Sequence, residues 1–163
     1  MKFIPFEKIT YESKLPLEII EKNIENSIRE KKSFNFNFET KPSLKKFEGS
    51  KINSTFFIQR IINYRNSFLP DIQINLWQKK LHTEIYVKFK LKPFTVAILI
   101  ISSVFLITIL FSVLITEDNI NSSILVLLLF LIIIYLMCIF GFNYEVNKAK
   151  KEFQQILKIE NSL

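Results

Sequence analysis

Arg60-Ile61-Ile62-Asn63-Tyr64-Arg65-Asn66-Ser67-Phe68-Leu69-Pro70 is the one stretch of this chain that gathers side chains suited to holding an anion. Two guanidinium groups stand beside a phenol and side-chain amides, and such a fork of donors can grip a carboxylate or a phosphate. Arg60, Tyr64, Arg65 and Asn66 are therefore the candidate binding residues. The segment also has a purely structural reading, in which Asn66-Ser67 forms a turn, Phe68 and Leu69 fill the core, and both arginines stay in water.

Other chemistry is thin. His82 is the only histidine, which removes an imidazole pair and a histidine-rich metal site, and alternation around it predicts a place on the wet face of a strand. Cys138 is the only cysteine and falls inside an apolar run, so neither an internal disulfide nor a cysteine metal cluster can form. Gly49 and Gly141 are the only glycines, which leaves no glycine-rich phosphate loop. The acidic residues fall mainly on one amphipathic helix at pairing distances. No catalytic residue, metal or cofactor is assigned.

Two apolar runs must position everything else. Phe94 to Ile115 and Ile124 to Phe142 contain no charged residue and no proline. A hydrocarbon core of ~30 Å is crossed by about 20 apolar residues in a helix, and both runs reach that length. Thr116 to Ser123 between them is polar and carries Glu117 and Asp118. The pattern predicts a helical hairpin that crosses a membrane twice. Thr108, Ser112 and Thr116 share one helix face, where each hydroxyl can bond the carbonyl one turn back. Transport usually places ionisable or helix-breaking groups within the membrane, and these spans have none.

The chain of 163 residues has a net charge of +7, and its distribution fixes an orientation. Before Phe94 there are 18 basic and 10 acidic residues, whereas the hairpin tip has two acids and no base. Lys88, Lys90 and Lys92 precede the first span, and Lys148, Lys150 and Lys151 follow the second. Basic flanks stay in the cytoplasm, so both termini are expected there, at a plasma (inner) membrane. The three lysines before the first span are the expected contacts with anionic headgroups. No leader sequence is apparent in Met1 to Glu7.

The 92 residues before the hairpin can build one small core. Phe6 to Lys14 reads as a strand with Ile9 and Tyr11 on its buried face. Pro16 is expected at the first position of a helix running to about Lys31, with Leu17, Ile20, Ile24 and Ile28 as its apolar stripe. Glu18–Lys22 and Glu25–Arg29 are favourably spaced pairs on it. Ser33 to Thr40 alternates Phe with Asn and reads as a strand. Phe47–Ile52 and Thr55–Asn63 form a hairpin turning at Asn53-Ser54, where Gly49 marks a bulge or a close backbone approach. Leu81 to Leu91 alternates most clearly, with Leu81, Ile85, Val87, Phe89 and Leu91 inward. Ile72, Ile74 and Leu76 supply its partner, with the turn at Trp77 to Lys80.

The expected fold class is an α+β cytosolic domain, a mostly antiparallel sheet with an N-terminal and a C-terminal amphipathic helix, joined to a two-span α-helical hairpin. The divisions are residues 1–92 for the domain, 93–142 for the hairpin and 143–163 for the tail. Val146, Ala149, Phe153, Ile156 and Leu157 give the tail an apolar stripe, which covers either the same sheet or the headgroup layer.

Phe47-Glu48-Gly49, Phe57-Ile58-Gln59-Arg60, Tyr64 to Pro70 and Lys92-Pro93-Phe94 together resemble a set of small uncharacterised bacterial membrane proteins. These combine a soluble N-terminal domain with a C-terminal two-span hairpin. The resemblance implies that layout and supplies no activity. The expected function is a membrane-anchored binding or scaffold module, more in keeping with these residues than an enzyme. Its partners are the bilayer and either anionic headgroups or a protein. The alternatives are a membrane enzyme acting on an anionic substrate, with Arg60, Tyr64 and Arg65 as its contacts, and an immunity-type neutralising protein. Nucleic acid is not expected, because the positive charge is spread over helix and strands without a recognition motif.

Overall fold

The computed structural model describes residues 3–30, 45–116 and 122–157. The strand expected at Ser33–Thr40 and the hairpin tip lie outside them. Strands β1 (Phe6–Ser13), β2 (Ile28–Glu30), β3 (Phe47–Ile52), β4 (Thr55–Arg60), β5 (Asp71–Gln78) and β6 (Thr83–Lys90) form one sheet in the order β1-β6-β5-β4-β3-β2. All neighbours are antiparallel except β2 and β3. The helices are α1 (Leu17–Ser27), α2 (Pro93–Thr116) and α3 (Ser122–Leu157).

Alternation decides which sheet face is covered. Ile72, Ile74 and Leu76 on β5 stand opposite Phe89, Val87 and Ile85 on β6, and all six are buried. Tyr11 on β1 and Phe56 and Ile58 on β4 extend that layer. The cover is α1 through Ile20 and Ile24, together with Phe142, Val146, Ala149, Phe153 and Leu157 of α3. The apolar stripe of the tail thus packs on the sheet beside α1. It does so as a direct continuation of the second apolar run, because α3 is one helix of 36 residues.

Several local expectations are corrected. Pro16 is the residue before α1, with extended backbone, and its carbonyl accepts the Ile20 N–H. The helix stops at Ser27, whose hydroxyl bonds the Ile24 carbonyl, and Ile28 instead pairs with Phe47 as a buried edge strand. Sheet pairing overrides the helical spacing of Ile28. Arg29 consequently meets Glu48 at 3.3 Å, and Glu25 joins Glu21 in binding Lys51 of β3. Leu81 is 90% exposed, because β6 begins at Thr83 and the turn is Lys79 to His82. His82 belongs to that turn, with Nε2 3.7 Å from Glu84. Gly49 is a close approach: a Cβ there would overlap the Phe57 carbonyl oxygen and reach 2.7 Å from the Ile58 Cα. Its φ of +156° adds a backbone preference for glycine.

Helix α2 and the first part of α3 carry their apolar side chains outward. Ile101, Phe105 and Phe111 on α2 are each about two-thirds exposed, and none of the most apolar window of α2 is buried in the protein. Both helices are long and apolar enough to cross a membrane. Thr108 donates its hydroxyl to the Val104 carbonyl at 2.9 Å, satisfying itself within its own helix.

Candidate functional site: a buried carboxylate held by the 60–70 segment

The segment after β4 does not run free across the surface. It folds against α3 and the start of α2, at the level where the sheet domain meets the two apolar helices. Asn66 begins a turn in which its Oδ1 accepts the Phe68 N–H at 2.9 Å and its carbonyl accepts the Leu69 N–H at 3.3 Å. That turn drives Phe68 toward α3 and buries Leu69. A Cβ on Gly141 would stand 2.8 Å from the Phe68 ring, so the missing side chain makes the seat for that ring. Thr95 donates its hydroxyl to the Ser67 carbonyl at 2.9 Å, which ties the turn to α2.

One helical turn after Gly141 comes Glu145, fully buried at 0% exposure. Its Oε1 accepts from the Tyr64 hydroxyl at 2.5 Å and from Asn66 Nδ2 at 2.9 Å. Its Oε2 accepts from Arg60 Nη1 at 2.5 Å. Arg60 is itself only 8% exposed, and its Nε donates to Glu152 at 3.1 Å, two turns further along α3. A buried carboxyl group left without partners would cost several kcal/mol, so three donors from one segment are what make the burial of Glu145 tolerable. Burial, then the hydrogen bond to Glu145, push the Tyr64 hydroxyl above its ordinary pKa, against the opposing pull of Arg60. Lys148 stacks over Tyr144 at 4.2 Å and over Tyr64 at 5.8 Å, and its pKa is raised chiefly by hydrogen bonding to Tyr144.

The structure therefore brings three of the four candidate residues together, Arg60, Tyr64 and Asn66, on a carboxylate of this same chain. Arg65 is exposed and has no part in that cluster. Arg60 is not the solvated residue of the structural reading, whereas Asn66, Phe68 and Leu69 behave as that reading describes. Lys88, Lys90 and Lys92 lie at the end of β6 that leads into α2. Lys88 stands 5.4 Å over the Tyr86 ring, Lys90 is exposed, and the Lys92 carbonyl accepts the first-turn N–H of Val96.

Glu145 was the residue that sequence reasoning missed. The signal was there: it follows Phe142 by three residues and precedes Ala149 by four, so it belongs to the same apolar stripe. A carboxylate on a buried stripe requires a cation and donors, and the basic, amide-rich 60–66 segment was available. Lys150 makes a second tie of this kind, 2.8 Å from Glu7 on β1.

Away from this cluster, the open sheet face carries a cavity of about 260 Å³ lined by Glu48, Phe57, Gln59, Asp71, Gln73 and Lys90, among others. Elsewhere on the same sheet face, the Trp77 and Tyr86 rings are tilted against each other with 6.0 Å between their centres. Comparison with protein-family models, with curated proteins and with solved structures finds no match.

Proposed function

We propose that this chain is a membrane-anchored scaffold, in which α2 and the first part of α3 cross a bilayer and the sheet domain presents its open face to a protein partner at the cytoplasmic side. The observation that carries the reading is the grip of Arg60, Tyr64 and Asn66 on Glu145. These donors are spent on the helix that continues the second span. They act as a rigid coupling between anchor and domain, which is what a scaffold needs and what an anion-binding active site cannot spare. The outward apolar surface of α2 supports the spanning, since a core helix of a soluble domain would be buried. The lysine flanks and acidic tip support the orientation.

The open face suits a protein better than a headgroup. It mixes Lys8, Lys88 and Lys90 with Glu12, Glu84 and Asp71, and it exposes Trp77 and Phe57. Aromatic anchors inside a ring of both charge signs are the usual make-up of protein interfaces. An enzyme acting on an anionic substrate has less support, because Arg60 and Tyr64 are engaged and Arg65 stands apart.

Two measurements test this. In a Cys138→Ala background, cysteine at Asn121 should react with an impermeant thiol reagent outside intact cells, and cysteine at Asn26 should not; the reverse pattern would refute the orientation. A photoreactive residue at Trp77 or Phe57 should crosslink to one protein of defined mass in intact membranes, whereas one at Glu18 on α1 should not. No adduct from either sheet position would remove the scaffold reading.

A further inference from the structure

The residues that lead into β1, with its first residue Phe6, form an apolar patch that the scaffold reading does not use. Phe3 is 76% exposed, Ile4 70% and Phe6 39%. The Tyr135 hydroxyl donates to the Phe3 carbonyl at 2.7 Å, and Tyr135 stands inside the second apolar run of α3. It precedes Phe142 by seven residues, about 10 Å along the helix at 1.5 Å per residue. Phe3 therefore lies against the half of the Ile124–Phe142 run that leads to the sheet domain, nearer its middle than its end.

Part of the backbone there is paired without water. Pro5 has no N–H to satisfy. The Phe6 N–H bonds back to the Ile4 carbonyl at 2.7 Å, and the Phe3 carbonyl is taken by Tyr135. In lipid an unpaired peptide group costs several kcal/mol, so a non-helical segment can enter only when its polar groups find partners close by. Exposed phenylalanine and isoleucine on such a segment match the acyl layer of a bilayer, as the exposed Leu136 and Phe140 of α3 do. Lys8 follows with its ammonium 5.3 Å over the Phe6 ring, placing a cation where the segment would leave the lipid.

We propose that Phe3 to Phe6 is a third membrane contact, a wedge that enters the acyl layer of the leaflet on the domain side, docked on α3 through Tyr135. It rests on the reading of α2 and α3 as spans. The wedge fixes β1, an edge strand of the sheet, at a set height above the bilayer. Together with the hairpin it would hold the domain at two points and suppress its rotation about the spans.

The test uses the whole chain in phosphatidylcholine–phosphatidylglycerol vesicles whose acyl chains carry bromine either near the headgroups or near the bilayer centre. With Trp77→Phe as background, Phe3→Trp supplies a single indole at the wedge, and Leu128→Trp supplies one in the span. The expected result is loss of both Phe3→Trp and Leu128→Trp emission in brominated vesicles relative to the same vesicles without bromine. If Leu128→Trp is quenched and Phe3→Trp by neither lipid, the wedge is wrong and the spans stand. If Leu128→Trp is also unquenched, the span reading fails and the wedge falls with it.

Discussion

Arg60 at the end of β4 and Glu145 on α3 are 85 residues apart in sequence and 2.5 Å apart in space, each almost removed from solvent. Between them in the chain lie two strands, one whole apolar helix and the whole of the second apolar run. Their contact is where the part of the protein built from alternating strands is fastened to the part built from apolar helices. Removing one partner from a buried pair leaves an uncompensated charge, which typically costs about 3–5 kcal/mol. Arg60→Met should therefore lower unfolding stability of the detergent-solubilised protein by that order. Arg60→Met with Glu145→Met should recover most of the loss, since an apolar pair of similar volume needs no partner. A single variant within about 1 kcal/mol of wild type in denaturant melts would mean that the pair is not buried in solution.

The Phe68–Gly141 contact makes a second prediction, because a side chain at Gly141 meets the root of the Phe68 side chain as well as its ring. Gly141→Ala would ordinarily favour a helix by about 1 kcal/mol. Here the Phe68 ring and Cβ must move, and the turn from Asn66 to Leu69 moves with them. The expected outcome is a net loss of stability and faster proteolysis of the 60–70 segment. Combining Gly141→Ala with Phe68→Ala should relieve the clash and leave only the cost of the lost ring. Gly141→Ala that proves more stable than wild type would show that the ring is not seated there.

The parts of this fold that were legible in the sequence were those set by local period. Ile85, Val87 and Phe89 alternate with Tyr86 and Lys88, and the structure buries the first set and leaves the second on the open face. Phe153 and its neighbours recur at helical spacing and pack as a stripe. What failed was decided by distant partners. Ile28 has the spacing of α1 but the company of Phe47, and the sheet wins. Leu81 continues the parity of β6, yet the turn at Lys79 to His82 leaves it no neighbour. The candidate site was half legible for the same reason. Arg60, Tyr64 and Asn66 announced a grip on an anion, but nothing local named Glu145 as the anion gripped.

Phe153 tests the packing of α3 on the sheet. It is 2% exposed, with its ring centre 6.2 Å from that of Tyr11 and 6.4 Å from that of Phe47. Phe153→Asp places a charge among the rings of Tyr11 and Phe47, at a cost of several kcal/mol, comparable with the whole stability of a small domain. Limited proteolysis should then cut within β1 to β6. Phe153→Leu should keep the resistance while losing part of the stability, as a partial truncation of a core side chain does. Unchanged resistance in Phe153→Asp would mean that this part of α3 leaves the sheet when the protein is in a bilayer.

Tyr11 gives the pH dependence. Its hydroxyl is pushed from 10.0 up to about 12, first by burial and second by the Glu7 carboxylate nearby. A native state that keeps its proton where the unfolded chain has lost it is weakened by alkali. The stabilising difference is fully present below pH 10, the unfolded value, and is lost as pH rises through about 12. A shift of this size corresponds to roughly 2–3 kcal/mol at most. The raised Tyr64 acts in the same direction, but it is half exposed and moves the balance less. Lysines titrate over the same range in every variant, so the comparison must be a difference. Unfolding of wild type and Tyr11→Phe should be measured at about pH 9 and about pH 11.5. Wild type should lose more stability between the two than Tyr11→Phe does, by roughly the linkage above. Equal losses would show that Tyr11 titrates alike in the folded and unfolded chain, and that its ring is open to water beside Phe153.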